Sequence, residues 1–173
     1  MSRILVVYFS RSGNTRRLAI EIAEACGADL EELVPAGSRE GVRGYLRASL
    51  EALLGLSPTL QPLHHRLQDY ETVIIGTPIW VWNIASPVRS FVRAHRAALQ
   101  QVTLALFCTC GRSGRHKVIE DLHRLCGRAP VAALALTADE IASRAYDARM
   151  LRFLRDLKRR RTPSMVAPGA VPA

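Results

Sequence analysis

Three short stretches of this chain hold the residue types that bind or react with a small molecule. The first, Ser10-Arg11-Ser12-Gly13-Asn14-Thr15, stands between an apolar β-rich run and a segment of helical periodicity. Hydroxyls, a flexible glycine and the free N–H groups of a helix start together make a cradle for an anion. The loop lacks the Gly-Lys-Ser/Thr ending of a nucleoside triphosphate loop and the spaced glycines of a dinucleotide fingerprint, so a monophosphate ester fits it better. The same residue types also make ordinary turns and caps. Its meaning therefore depends on its neighbours.

The second stretch, Gly76-Thr77-Pro78-Ile79-Trp80-Val81-Trp82-Asn83, follows a β-branched run and carries the only two tryptophans of the chain. A flat ligand can stack there. A single tryptophan would more often fill a core or an interface, but two in one strand-end loop shift the balance. The third stretch, Thr109-Cys110-Gly111-Arg112-Ser113-Gly114, again ends an apolar run with small residues whose backbone can approach a ring closely.

The elements that must position these loops follow from periodicity. Arg3 to Phe9 lacks alternation and reads as a strand buried on both faces. Thr15 to Cys26 carries Leu18, Ile22 and Cys26 on one helical face, with Gly27 as its stop. A strand over Leu30 to Val34 and a helix over Gly41 to Leu54 follow, the latter ended by the Pro-containing stretch Leu56 to Leu63. Thr72 to Ile75 is a short buried strand bounded by Gly76. Ser86-Pro87 reads as an N-cap with proline at the first helical position, opening a helix to about Leu99. Val102 to Thr109 is a strand, Ser113 to Leu125 a helix and Pro130 to Thr137 a strand. A long basic helix from about Ala138 to Arg161 then places Ile141, Ala145, Ala148, Leu151, Leu154 and Leu157 along one face.

Strands alternating with helices imply right-handed crossovers and a parallel sheet covered on both faces, so the fold class is α/β with about five strands in the order 2-1-3-4-5. In such a sheet ligands bind beyond the carboxyl ends of the strands, where the strand order reverses. All three loops fall there.

The 173 residues, 49% of them hydrophobic, suit one domain over residues 1–161, with Thr162 to Ala173 as a disordered tail. No apolar stretch approaches the roughly 20 residues of a membrane span, and no signal peptide is readable at the start. A cytoplasmic protein with its four cysteines reduced is the expectation. The net charge is +9, of which the segment from Arg144 to Arg161, with eight basic and two acidic residues, supplies +6.

On these loops the chain resembles the flavodoxin-like family of FMN proteins, including its NAD(P)H-dependent FMN reductases, from about Arg3 to Arg161. The family's phosphate loop, Ser/Thr-x-Ser/Thr-Gly-x-Thr, is matched by Ser10 to Thr15, and Pro78 to Asn83 resembles the flavin-flanking segment of its reductase-like members. Thr109 to Gly114 matches in position and smallness. The resemblance implies a three-layer sandwich, FMN as cofactor, and cofactor contacts from Ser10, Arg11, Ser12, Gly13, Asn14, Thr15, Pro78, Ile79, Trp80, Val81, Trp82, Asn83, Thr109, Cys110, Gly111, Arg112 and Gly114. Trp80 or Trp82 would pack beside the isoalloxazine.

Electron-carrying members of the family are usually acidic around the flavin. This chain instead offers Arg11, Arg112 and Arg115, and a cation near the ring favours two-electron chemistry. The implied function is therefore an FMN-dependent oxidoreductase passing electrons from NADH or NADPH to a quinone or similar acceptor, as a monomer or homodimer. No side chain stands out as a catalytic acid or base. The alternatives are a flavodoxin-type electron carrier serving a redox protein, and a binding module without flavin chemistry that uses its basic C-terminal helix on nucleic acid, an anionic membrane surface or an acidic partner.

Other chemistries fit less well. A receiver domain shares the topology but needs clustered carboxylates where this chain has Ser10-Arg11 and Gly76-Thr77. A small tyrosine phosphatase has five residues between its cysteine and arginine, and Cys110 and Arg115 are separated by four. Cys108 and Cys110 lie too close for the usual zinc spacing, so no metal is expected. His64-His65 read as part of a surface loop.

Overall fold

The computed structural model describes residues 3–36, 58–80, 82–111 and 115–161. The helix expected over Gly41 to Leu54, the residues Val81, Arg112 and Gly114, and the tail from Thr162 lie outside them.

Five parallel strands form the central sheet: β1 (Ile4–Tyr8), β2 (Asp29–Glu32), β3 (Thr72–Trp80), β5 (Thr103–Cys110) and β6 (Ala132–Thr137), in the order β2-β1-β3-β5-β6. Counted in chain order these five run 2-1-3-4-5, the succession expected. A sixth, β4 (Asn83–Ile84), folds back antiparallel on the end of β3 with Ile79 opposite Ile84 and Trp80 opposite Asn83. The sheet thus has six strands rather than five.

The extra strand exists because β3 does not stop at Gly76. Its pairing with β1 ends at Tyr8↔Gly76, while its pairing with β5 continues through Thr77↔Cys108 and Pro78↔Thr109. Beyond Gly76 one flank of β3 is therefore an edge, the setting in which a residue without an N–H is tolerated.

β1 is buried throughout, which explains its uninterrupted apolar run. Its alternate side chains feed two cores. Leu5 and Val7, with Phe9 just past the strand's end, join Val73, Ile75 and Leu106 under α2 (Ser86–Ala94), α3 (Arg96–Leu99) and α4 (Arg115–Cys126). Ile4, Val6 and Tyr8 join Ile74 and Phe107 under α1 (Asn14–Cys26), α5 (Ala138–Ser143) and α6 (Asp147–Arg161). The result is a three-layer sandwich. No described helix is long and apolar enough to cross a membrane, and all four cysteines are free thiols.

Three local expectations are corrected. Ser86 is the first residue of α2, whose N-cap is Ala85, and its hydroxyl does not cap the helix. The helix through Leu99 breaks at His95 into α2 and α3. The long basic helix breaks at Arg144, which adopts a left-handed φ of 55°. That break resets the helical phase: Phe153 and Leu157 are buried, whereas Ala148 and Leu151, expected on the inner face, are exposed.

α5 starts on a capping box. Thr137 Oγ1 accepts from the Glu140 N–H at 3.2 Å, and the Thr137 N–H donates to Glu140 Oε2 at 2.8 Å. The Arg149 guanidinium on Glu140, and the Thr137 N–H, hold the Glu140 carboxyl below its ordinary range. Thr137→Ala is expected to cost about 1 kcal/mol at neutral pH. Because a depressed carboxyl stabilises the fold only above its unfolded pKa, the stability gap between the parent and Glu140→Gln should close as pH falls through the depressed value. Denaturant unfolding across the acid range reads both.

On the β2 edge, the buried Glu31 accepts the backbone N–H groups of His64 and His65, each at 3.0 Å. This fastens the loop that leads into β3. His64 and His65 lie on a loop, as their sequence context suggests, with His64 the more exposed.

Candidate functional site

The register of the sheet brings the three stretches together at its C-terminal edge. Tyr8, two residues before the first loop, is level with Gly76, and Gly76 is level with Phe107. Pro78 is level with Thr109, and Thr109 with Leu136.

The first loop enters α1 through Gly13, the N-cap, at φ 91° and ψ −19°. This is a left-handed conformation natural to glycine, and it turns the chain into the helix without supplying any side-chain cap. The first N–H groups of α1 are left for a ligand or solvent. Beside them Ser10 Oγ is buried without a hydrogen-bond partner among the described residues. Buried hydroxyls in folded proteins are nearly always satisfied, and of the three that lack a partner among the described residues, those of Ser10, Thr72 and Ser90, only that of Ser10 lies in the loop that enters the uncapped α1. Asn14 is half-buried, and Arg11 and Ser12 are exposed at the loop tip.

A buried hydrogen bond locks this loop to the third stretch. Thr15 Oγ1 and Thr109 Oγ1 lie 2.8 Å apart, ninety-four residues apart in sequence. Thr109 lies in β5, as the strand expected to end there implies, and Cys110, expected in the loop, is the last residue of that strand. Cys110 is buried, with Sγ 3.6 Å from the Leu136 carbonyl oxygen. Gly111 is exposed just beyond.

Pro78, Ile79 and Trp80 also lie in a strand, β3, rather than in a loop, and Asn83 lies in β4. Trp80 is held between the edge of Phe9, ring centroids 5.6 Å apart, and the Arg11 guanidinium, 5.6 Å from its ring centre. Trp82 differs: it sits at the turn of the β3–β4 hairpin, 61% exposed and with a left-handed φ of 65°. For a bulky residue that backbone is an outlier costing about 1–2 kcal/mol. Trp82→Gly is accordingly expected to raise apoprotein stability by about 1 kcal/mol in guanidinium unfolding; a loss of stability would mean that the indole has contacts outweighing the strain.

Two further residues, Thr77 of the second stretch and Lys117 outside all three, support the hairpin in a way the sequence does not show. Thr77, fully buried, donates to the Pro78 carbonyl at 3.0 Å and accepts the Ala85 N–H at 3.2 Å, tying the returning strand to β3. Lys117 on α4 reaches the Trp82 carbonyl at 3.4 Å and is paired with Asp121. Both depend on a chain reversal that periodicity does not reveal. Near the first loop, Arg16 donates to both oxygens of Glu32, at 2.7 and 2.9 Å. Burial, with Glu32's charge second, raises the pKa of Tyr8 beneath them.

The described residues contain no group of three or more metal-ligating side chains. What they form is an uncapped helix start entered by a hydroxyl-rich loop, with the hairpin that carries Trp80 and Trp82 and the Thr109–Gly111 end of β5 at the same edge of the sheet.

A family model described as Flavodoxin matches residues 3–146. A curated relative from Archaeoglobus fulgidus, called NAD(P)H dehydrogenase (quinone), is 32% identical over 102 residues, which make up 53% of this chain and 50% of that protein. The chain thus spans about half the length of the curated relative it matches. A flavoprotein from Lactobacillus acidophilus NCFM, solved in complex with FMN, superposes with a TM-score of 0.64 at 19% identity, covering 83% of this chain and 98% of that one. A protein assigned as a flavoprotein from Bacteroides eggerthii superposes with a TM-score of 0.66 at 27% identity, covering 87% and 99%.

Proposed function

The chain belongs to the flavodoxin family, and from that premise we propose that it binds FMN at the C-terminal edge of its sheet and reduces a quinone or similar small acceptor with electrons from NADH or NADPH. The observation that carries the reading is the unpartnered buried hydroxyl of Ser10 beside the uncapped start of α1. A phosphate monoester offers the acceptors that both lack.

In this reading Ser10, Ser12, Gly13, Asn14 and Thr15 hold the phosphate, and the Thr15–Thr109 hydrogen bond sets the loop's distance from β5. Pro78, Ile79, Trp80, Trp82 and Asn83 would contact the ring from one side and Thr109, Cys110 and Gly111 from the other, while Val81, Arg112 and Gly114 remain expected contacts that lie outside the described residues. When bound, FMN supplies the two-electron chemistry that no side chain here provides. The net reaction takes NAD(P)H, one proton and a quinone to NAD(P)⁺ and a quinol. The protein's part is to orient the reactants and exclude water.

Charge favours the reductase over the carrier. None of the three stretches contains Asp or Glu, and Arg11 and Arg112 lie within them. Cations beside the ring stabilise the negative charge that two-electron reduction puts there. The name of the Archaeoglobus fulgidus relative supports the same donor and acceptor.

The deciding experiment is an absorbance titration of the purified protein with FMN, followed by anaerobic addition of each nucleotide. Bound flavin bleached directly by NADH or NADPH is the expected result. Bound flavin that ignores both would make the protein a carrier reduced by a partner, and failure to bind FMN would overturn the reading altogether.

A further inference from the structure

Helix α6 turns a cationic face away from the sheet. Its inner side is fixed by Phe153 and Leu157, buried beneath it, with Met150 and Leu154 packed against the same core. At 3.6 residues per turn the opposite side carries Ala148, Leu151, Arg152, Arg155, Lys158 and Arg159 within an arc of about 120°. All six are exposed. The two acids of the helix, Asp147 and Asp156, fall outside that arc.

On α1 and α4 several cations are matched by acids one turn away: Arg17 with Glu21, Lys117 with Asp121, Arg124 with Glu120. On α6 no described carboxylate pairs with Arg152, Arg155 or Lys158. The pairs 152/155 and 155/158 are instead like charges at helical-neighbour spacing, which destabilises an isolated helix. Such a face gains from an external polyanion.

We propose that the outer face of α6 docks the protein on the surface of an anionic lipid bilayer. Leu151 selects this partner over other polyanions. It is 68% exposed, the most accessible leucine among the exposed large apolar residues, and it stands within the cationic arc, one turn from Arg155 and two from Lys158. An apolar side chain ringed by long basic ones suits a headgroup layer, where leucine reaches the acyl boundary and the cations meet lipid phosphates. A nucleic acid backbone offers Leu151 nothing, and the arc has no aromatic ring on which a base could stack.

The test is co-sedimentation of the full chain with vesicles of phosphatidylcholine alone or with phosphatidylglycerol added. Binding is expected only to the anionic vesicles and should weaken with salt. Each basic residue at such a surface strengthens partition about fivefold, so the combined variant Arg152→Gln/Arg155→Gln/Lys158→Gln should lose about a hundredfold. Leu151→Ser should weaken vesicle binding about fivefold yet leave binding to duplex DNA unchanged. All these positions are exposed, and circular dichroism confirms that each variant folds. Equal binding to neutral vesicles, full retention by the triple variant, or tighter binding to DNA than to vesicles with no effect of Leu151→Ser would overturn the proposal. Apoprotein and FMN-loaded protein should bind alike, so its failure is separable from failure of the flavin reading.

Discussion

Ser12→Glu is expected to weaken FMN binding about a hundredfold while leaving the apoprotein as stable as the parent or slightly more so. Ser12 is exposed at the tip of the first loop, two residues before the first helical residue of α1. A carboxylate there meets the positive end of the helix and gains about 0.3–1 kcal/mol. The same carboxylate would stand about 5 Å from a bound phosphate of roughly two negative charges, which at an exposed loop tip, with an effective dielectric of about 40 between the surface and bulk-water values, costs roughly 3 kcal/mol. At about 1.4 kcal/mol per decade this is a hundredfold in affinity. Riboflavin, which has no phosphate, is the control. Calorimetric titration should show FMN affinity collapsing toward that of riboflavin, whose own affinity stays unchanged. Equal, small losses for both ligands would place the phosphate away from this loop.

Gly76→Ala is expected to destabilise the fold by about 3 kcal/mol or more, the upper range for overpacking a core. A Cβ at this position would lie 2.1 Å from Phe107 Cζ and within 2.6 Å of both Cε atoms. The ring belongs to a fully buried side chain on the adjacent strand, so it has no open space to enter. Shrinking the obstacle should rescue the variant: Gly76→Ala with Phe107→Leu should be less destabilised than the two single changes added together, as read by urea unfolding. Additive losses would show that the ring is not the obstacle. Because Gly76 lies between β1 and β5, any spreading of the strands should also stretch the Thr15–Thr109 link and lower FMN affinity.

The same glycine shows why the sequence misleads at the second stretch. Gly76-Thr77-Pro78 carries two residues that usually end strands, and read locally it marks a loop. In the fold Gly76 makes room for Phe107, and Pro78 lies where β1 no longer flanks β3. Both reasons reside in other strands. The hairpin that follows, and with it the placement of Trp80 and Trp82, was therefore not readable.

Where local chemistry suffices, the sequence is a good guide. The uninterrupted apolar run of β1, the Gly27 stop of α1 and the hydroxyl-rich loop between them appear as expected. The basic helix shows an intermediate case. Its apolar spacing is helical on either side of Arg144, but the left-handed residue there changes the phase and turns Leu151 outward. The Thr15–Thr109 pair is the opposite extreme: two ordinary threonines whose meeting depends on the entire sheet.

The hairpin also makes the molecule report on itself. Both tryptophans of the chain stand on it, one shielded between Phe9 and Arg11 and the other open to solvent. Intrinsic tryptophan fluorescence therefore comes from a single edge of the sheet, as two emitters that acrylamide should quench to very different extents. A planar chromophore seated at that edge would darken nearly all of the signal, whereas fraying of α6 or of the β2 edge would leave it unchanged.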